Sequence, residues 1–208
     1  MNGNTRLDAG MLAVGDVVFV RVTARPFREV ASATGCWTNH VGIVVETDGA
    51  EPLIAESTFP RAKIGPLSRF LARSEHGRVA VKRLHRPLSV REVMDLQAAA
   101  RERVGIWYDT GFDLHSPRQF CSRFVREVLL QATGKAVGDV QTLAQLLAQR
   151  PSMGLWFWRL WYVGRIPWQR ETVTPASLLA SAALRPVFDS AAGPVAAAAP
   201  LTRAASCA

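Results

Sequence analysis

Two short segments of this chain contain residue types that together can perform nucleophilic chemistry. Asn39–Val45 (NHVGIVV) places a histidine at the mouth of a predicted strand, and Gln119–Val125 (QFCSRFV) places a cysteine near the start of a predicted amphipathic helix. A thiol becomes a useful nucleophile when a neighbouring group lowers its pKa and holds its proton. A helix N-terminus and an imidazole are the two commonest groups that do this, so the two segments favour a cysteine hydrolase.

The predicted helix around Cys121 has a recognisable start signal. Ser116–Gln119 has the pattern of a capping box with proline at the first helical position, and the helix is expected to end at Gly134. Cys121 would then lie one turn into the helix, where the helix dipole supplies only part of the activation. The alternative is a small apolar residue in a helix interface, because Cys121 shares a helix face with Val125 and Val128.

His40 and Glu56 are expected to meet in neighbouring strands. His40 begins a strand, which fixes its backbone while leaving the ring accessible. Glu56 lies among apolar residues in the next strand, and a buried carboxylate needs a partner such as an imidazole that it can orient. The alternatives are a structural histidine and an edge glutamate that faces water. Asn39 could also orient a ring, but adjacent strand residues point to opposite faces. The competing histidines are His76, His85 and His115.

A metal or redox site is a weaker interpretation of the same residues. Cys36, His40 and Cys121 could converge, but the two close ligand pairs typical of a zinc site are absent from the spacing. We therefore predict no metal and no cofactor. Cys36 could compete as the nucleophile, although it lies in a predicted loop without a supporting helix.

Length, charge and cysteine content narrow the class of protein. A chain of 208 residues suits one domain with a tail. Its net charge of +8 favours anionic partners in general, but the basic residues are scattered, so no nucleic-acid binding is expected. Three cysteines fit a reducing compartment, and Met1–Asp8 lacks the apolar core of a signal peptide. Because no apolar run approaches the ~20 residues of a membrane span, a cytoplasmic location is predicted.

The predicted elements indicate an α+β fold with an antiparallel sheet packed against helices. Strands are predicted at residues 16–22, 41–46, 52–57 and 78–84, and helices at residues 67–73, 89–104, 117–134 and 140–149. Residues 25–39 are expected to be irregular or partly helical. The aromatic segment 155–162 is interpreted as core or groove-lining packing, with a membrane-surface anchor as the alternative.

We predict three parts along the chain. Residues 1–14 form an N-terminal extension, residues 15–182 form a catalytic domain, and residues 183–208 form an alanine-rich disordered tail.

The chain resembles the permuted papain-like NlpC/P60 superfamily, in its YebB/YiiX-like branch. The resemblance rests on Asp16–Phe19 (DVVF), Cys36–Ile43 (CWTNHVGI), Ala55–Ser57 (AES) and Phe120–Val125 (FCSRFV), and it extends from about Gly15 to Ser177. His40 precedes Cys121, as a circular permutation of the papain order requires. The resemblance implies a circularly permuted papain-like fold, with Cys121 as nucleophile, His40 as base and Glu56 as the third polar residue.

The function expected from these residues is acyl transfer through a thioester. The enzyme would be an amidase or peptidase, or an acyl hydrolase or acyltransferase, acting on a small peptide-amide or acyl substrate. Tyr108 is a candidate second oxyanion donor or substrate-positioning hydroxyl, with a packing role as its alternative. The alternative function is a non-catalytic module on the same fold that binds a small molecule or a lipid. Peripheral membrane contact and the oligomeric state stay open.

Overall fold

A seven-stranded antiparallel sheet lies at the centre of this computed structural model, which describes residues 7–149, 155–191 and 193–194. The strands of the described residues are β1 Val17–Val22, β2 His40–Glu46, β3 Leu53–Glu56, β4 Lys63–Pro66, β5 Ser74–Leu84, β6 Gln141–Thr142, β7 Glu171–Thr172, β8 Leu184–Asp189 and β9 Gly193–Pro194. The spatial order in the central sheet is β4-β3-β2-β1-β5-β8-β9, and β6 and β7 pair with each other.

The central strands are apolar on both faces, so helices and loops cover the sheet on each side. β1 is almost entirely buried, and its residues divide between two apolar clusters, with Val17 and Phe19 on one side and Val18 and Val20 on the other. The predicted hairpin is confirmed, since β2 and β3 pair antiparallel with Ile43 opposite Ala55. These observations confirm the predicted α+β class.

The helices in the described residues mainly cover one face of this sheet. They are α1 Arg25–Thr34, α2 Leu67–Leu71, α3 Val90–Glu102, α4 Cys121–Thr133, α5 Leu143–Ala148, α6 Trp156–Trp161 and α7 Pro175–Ala180, preceded by a 3₁₀ turn at Ala9–Met11. The predicted capping box at the start of α3 is confirmed, because Ser89 and Glu92 bond reciprocally. α4 contributes Phe124, Val128 and Leu129 to the largest apolar cluster.

The sequence-based prediction of a disordered tail from residue 183 is wrong for its first part. Leu184–Asp189 form β8, which pairs with β5 inside the sheet, and Phe188 is fully buried. The alanine content hid the short alternating run Leu184-Arg185-Pro186-Val187-Phe188. Residues 192 and 195–208 lie outside the described residues, as does Cys207. Strand β4 was also not anticipated.

In the described ranges, none of the helices has the length and apolar character needed to cross a lipid bilayer. The cytoplasmic location remains a prediction.

Candidate functional site

Cys121 is the first residue of α4, and not the fifth as the capping-box pattern predicted. Gln119 explains the difference: its N–H donates to the Trp107 carbonyl at 3.0 Å and its carbonyl accepts from the Asp109 N–H at 2.7 Å. This pairing holds the preceding segment extended, so the helix starts only after Phe120, whose side chain provides no cap. The thiol therefore lies at the helix N-terminus, where unpaired N–H groups and the helix dipole are strongest.

The start of α4 is tied to the end of β3 and to Tyr108. Ser57, which follows Glu56, donates its hydroxyl to the Gln119 carbonyl at 2.9 Å. Tyr108 and Gln119 form a parallel bridge, and the Tyr108 N–H donates to the Pro60 carbonyl at 2.9 Å. These backbone contacts hold the three segments in one place, although they are far apart in the sequence.

His40 and Glu56 form a buried ion pair. The Nε2 of His40 lies 2.6 Å from Oε2 of Glu56, with the two residues 1% and 4% exposed. Arg73 donates from Nη2 to both carboxylate oxygens at 2.7 Å, and the Lys63 ammonium lies 3.8 Å from Oε1. The carboxylate is thus held by the ring on one side and by two cationic side chains on the other.

These contacts shift the ionisation of both partners towards their charged forms. Burial by itself raises the pKa of Glu56, but the hydrogen bond and charge of His40, followed by those of Arg73, outweigh it and lower this pKa to about 2. Burial likewise lowers the pKa of His40, yet Cys121 and Glu56 outweigh it and raise this pKa to about 9. The largest favourable contributions to His40 come from the charge of Cys121 and its hydrogen bond with the ring.

Cys121 therefore lies close to the His40 ring, near enough for its charge and a hydrogen bond to raise the pKa of that ring. Glu56 occupies Nε2 of the same ring. The structure thus brings together the three residues that the sequence analysis singled out, in the order thiol, imidazole and carboxylate. Such an arrangement can hold a proton between sulfur and ring while the carboxylate fixes the orientation of the ring.

The Tyr108 hydroxyl also faces Cys121. Burial, and then the charge and hydrogen bond of Cys121, raise the pKa of Tyr108 well above its usual range. The phenol therefore stays protonated, and it has no nitrogen or oxygen partner in the described part of the chain. A neutral phenol in this position is a hydrogen-bond donor beside the sulfur.

Aromatic side chains enclose the ring of His40. Phe27, in α1, meets it edge-on at 5.6 Å between centroids, and Phe70, in α2, lies at 5.7 Å. Gly42 makes the second contact feasible, because a Cβ there would lie 2.9 Å from the Phe70 ring and 2.6 Å from Ile54. The sequence reasoning missed Phe27 and Phe70, although Gly42, two residues after His40 on the same strand face, was a signal of close packing.

The other candidate residues lie elsewhere or do other work. Asn39 accepts a hydrogen bond from the Val22 N–H at 2.8 Å and donates one to the Val22 carbonyl at 3.0 Å, so its amide is used by the backbone, although it lines the same pocket as Cys121. His115 pairs with Glu171 at the surface, and His85 is exposed. Cys36 follows α1 and is half-buried with a free thiol. Within the described ranges, no three histidine, cysteine, aspartate or glutamate side chains converge as metal ligands would.

Two hollows open on either side of Phe27. The first, called the apolar pocket, is narrow and is lined by Cys121, Tyr108 and mainly apolar side chains that include Phe112, Leu146 and Trp158, together with the polar residues Asn39, Ser122, Thr172 and Thr174. The second, called the polar groove, is wider and more open. Residues that line it include His40, Thr58, Lys63, Arg73 and Glu75.

The aromatic segment 155–162 lies partly in the core, where it lines the apolar pocket, and partly at the surface. Phe157 and Trp158 are buried, and Trp158 lines the apolar pocket, in agreement with the groove-lining interpretation. Leu160 is 73% exposed on the opposite side of α6.

Comparison with known proteins agrees with this geometry. The sequence model of one family, described as permuted papain-like amidase enzymes of the YaeF/YiiX, C92 family, matches residues 11–188. The chain belongs to this family. The predicted permuted papain-like fold and the YiiX relationship are therefore confirmed, and the match extends to Phe188 in β8. The wider NlpC/P60 superfamily and the YebB branch remain predictions.

Two relatives of this C92-family amidase come from Escherichia coli. The uncharacterized protein YiiX of strain K12 is 28% identical over 164 residues, which cover 79% of this chain and 80% of YiiX. A crystal structure of yiiX from strain O157:H7, described as a metalloprotein, superposes with a TM-score of 0.75 at 25% identity. That superposition covers 86% of this chain and 98% of the relative.

Proposed function

We propose that this amidase is a thiol hydrolase in which Cys121 is the nucleophile, His40 the proton carrier and Glu56 the residue that orients His40. The observation that supports this most strongly is the single buried imidazole that has Glu56 on Nε2 and whose pKa is raised by both Cys121 and Glu56. A structural histidine needs no such pair of partners. The position of Cys121 at an uncapped helix N-terminus adds a second reason.

In the acylation step, the Cys121 sulfur attacks the carbonyl carbon of the substrate amide, and a C–S bond forms. The carbonyl electron pair moves to oxygen, where the Cys121 N–H at the start of α4 and the Tyr108 hydroxyl act as hydrogen-bond donors. The C–N bond then breaks, and the leaving nitrogen takes the proton of the His40 imidazolium. The products of this step are a free amine and a thioester on Cys121.

In the deacylation step, His40 accepts a proton from a water molecule as the water oxygen bonds to the thioester carbon. The C–S bond breaks, the thiolate is restored beside the protonated ring, and the carboxylic acid leaves. Glu56 stays ionised throughout, since its pKa of about 2 lies far below neutral pH. Its task is to hold the ring and to stabilise the imidazolium.

The E. coli relative is described as a metalloprotein, but its metal has no counterpart in this mechanism. The described residues of this chain contain no cluster of three or more typical metal-ligating side chains. The residues present therefore do not fit such a centre, and no step is derived through a metal.

Alkylation and turnover test this proposal together. Iodoacetamide followed by mass spectrometry should modify Cys121 rapidly at neutral pH, and Cys121→Ala should abolish hydrolysis of a panel of amides. Cys36→Ala is the matched control and should retain activity. Full amidase activity in Cys121→Ala would contradict the proposal. A slow Cys121 with no hydrolysis by the wild type would support a non-catalytic binding module instead.

A further inference from the structure

The two hollows beside Phe27 differ in chemistry, and each contains one partner of the reacting pair. Cys121 lines the apolar pocket, whereas His40 lines the polar groove. Phe27 lines both spaces and lies edge-on to the His40 ring. A substrate that reaches both reacting groups must therefore present one part to each space.

The mechanism proposed above assigns these parts, and the inference rests on it. The carbonyl carbon becomes bonded to Cys121, so the acyl group extends into the space on the sulfur side. The leaving nitrogen receives its proton from His40, so the leaving group extends into the space on the imidazole side. The acyl group therefore faces the apolar pocket, and the amine faces the polar groove.

Lys63 lines the polar groove and has only a long ion pair, because its carboxylate partner Glu56 is shared with closer cationic groups. Glu75 is paired with Arg21 at 2.7 Å and with Arg28 at 2.9 Å. Glu56 is already held by His40 and by Arg73. In the described part of the chain the Lys63 ammonium forms no hydrogen bond, it lies 3.8 Å from Glu56, and the side chain is 48% exposed. The groove can thus accept an anionic group at Lys63.

The apolar pocket selects against charge. No charged side chain of the described residues lines it. Its buried polar atoms without a nitrogen or oxygen partner are the Tyr108 hydroxyl and the indole Nε1 of Trp158, and an indole N–H can only donate. An ammonium group would lose its water there without gaining a carboxylate, because no acidic side chain of the described residues lines the pocket, whereas an uncharged acyl group avoids this cost.

We propose that the substrate is an amide that joins an uncharged apolar acyl group to an amine carrying an anionic group, with the anion bound by Lys63. The net reaction consumes one water and releases the carboxylic acid and the anionic amine. A carboxylate and a phosphate share the chemistry that Lys63 recognises, and the leaving groups used below distinguish them.

A matched pair of chromogenic amides tests the leaving-group side. Acyl-5-amino-2-nitrobenzoate and acyl-4-nitroanilide share an acyl group, and the leaving group of the first carries an additional carboxylate. The wild type should prefer the carboxylated amide about two- to fivefold in kcat/KM, the effect of one partly exposed ion pair. Lys63→Ala should bring this ratio close to one, mainly through KM, and Lys63→Arg should preserve it.

Lys135→Ala is the control for net charge. Lys135 follows α4, whose length places it roughly 20 Å from Cys121 at 1.5 Å per residue. Lys135→Ala should leave the ratio of the two kcat/KM values unchanged. N-acylglycine and N-acyl-O-phosphoethanolamine, assayed by the released amine, then show whether a carboxylate or a phosphate is preferred.

A second matched pair tests the acyl side. Leucyl-4-nitroanilide and 4-methylpentanoyl-4-nitroanilide differ by one amino group, and the uncharged acyl compound should react faster.

Equal rates for the carboxylated and neutral amides, or a ratio that Lys63→Ala leaves intact, would overturn this inference while the Cys121 chemistry stands. Faster reaction of the leucyl compound would overturn the acyl assignment. Failure of the proposed function is distinguishable, because Cys121 would then resist alkylation and no amide would be cleaved.

Discussion

The imidazole of His40 is stabilised in its charged form by Cys121 and Glu56. Glu56 accepts a 2.6 Å hydrogen bond from Nε2, and Arg73 keeps that carboxylate ionised. A buried ion pair contributes little net stability, because desolvation offsets its attraction. We therefore interpret this arrangement as one that serves chemistry more than folding.

Glu56→Gln should lower kcat about a hundredfold or more while the fold is kept, because the amide holds the ring without stabilising its charge. Steady-state hydrolysis and thermal unfolding would check both parts. Glu171→Gln is the matched control, since Glu171 forms a 2.7 Å pair with His115 at the surface. It should leave kcat unchanged. Equal activity of the two variants would contradict the role of Glu56.

The pKa of His40 should depend on the presence of Cys121. The pKa of about 9 in the folded protein lies above the ordinary 6.5, so the protonated ring stabilises the fold. This contribution is complete below pH 6.5 and is lost as the pH rises from 6.5 to about 9. An NMR titration of the His40 ring should show the high pKa in the wild type and a lower one in Cys121→Ala. A wild-type value near 6.5 would contradict the arrangement.

Helix α1 covers the reacting pair. Phe27 contacts the rings of His40 and Tyr108, and Cys121 is only 3% exposed beneath this layer. The C-terminal end of α1 is a left-handed Gly35, after which the chain turns back towards β2. Access of a reagent to the Cys121 sulfur therefore depends on the position of the Phe27 side chain in α1.

Phe27→Ala should raise the rate at which iodoacetamide modifies Cys121 severalfold, since it joins the apolar pocket to the polar groove. Mass spectrometry of the alkylated peptides would measure this rate. Cys36 in the same protein is the internal control, and its alkylation rate should not change unless the variant unfolds. An unchanged Cys121 rate would show that Phe27 does not limit access.

The central sheet joins the two ends of the described chain into one folding unit. β8 pairs with β5, which also pairs with β1, so the strand next to the site-bearing β2 depends on a segment more than 100 residues further along. Phe188 packs with Val18 and Val81 on the face opposite to Cys121. The C-terminal strand is therefore part of the core.

Phe188→Ala should lower the free energy of unfolding by about 3–5 kcal/mol, the usual effect of removing a buried phenylalanine side chain. Leu160→Ala, at a position 73% exposed, should change it by about 0.5 kcal/mol or less. Denaturant unfolding of the two variants would measure the difference. Similar small losses would mean that β8 lies outside the cooperative unit.

The pairing of His40 with Glu56 could be predicted from the chain because it is local. An Asp-Gly turn at residues 48–49 connects two apolar runs, and a hairpin of this kind sets which side chains meet. The nucleophile helix and its end at Gly134 were likewise readable from apolar spacing and a glycine stop.

The start of that helix, the salt bridge from Arg73 and the cover by Phe27 could not be predicted in this way. Each depends on contacts between segments that no local pattern connects. Gln119 is held out of the helix by Trp107 and Asp109, and their backbone groups compete successfully with a capping box that looked sufficient. Local propensities of a few tenths to about 1 kcal/mol give way when tertiary hydrogen bonds and burial favour another arrangement.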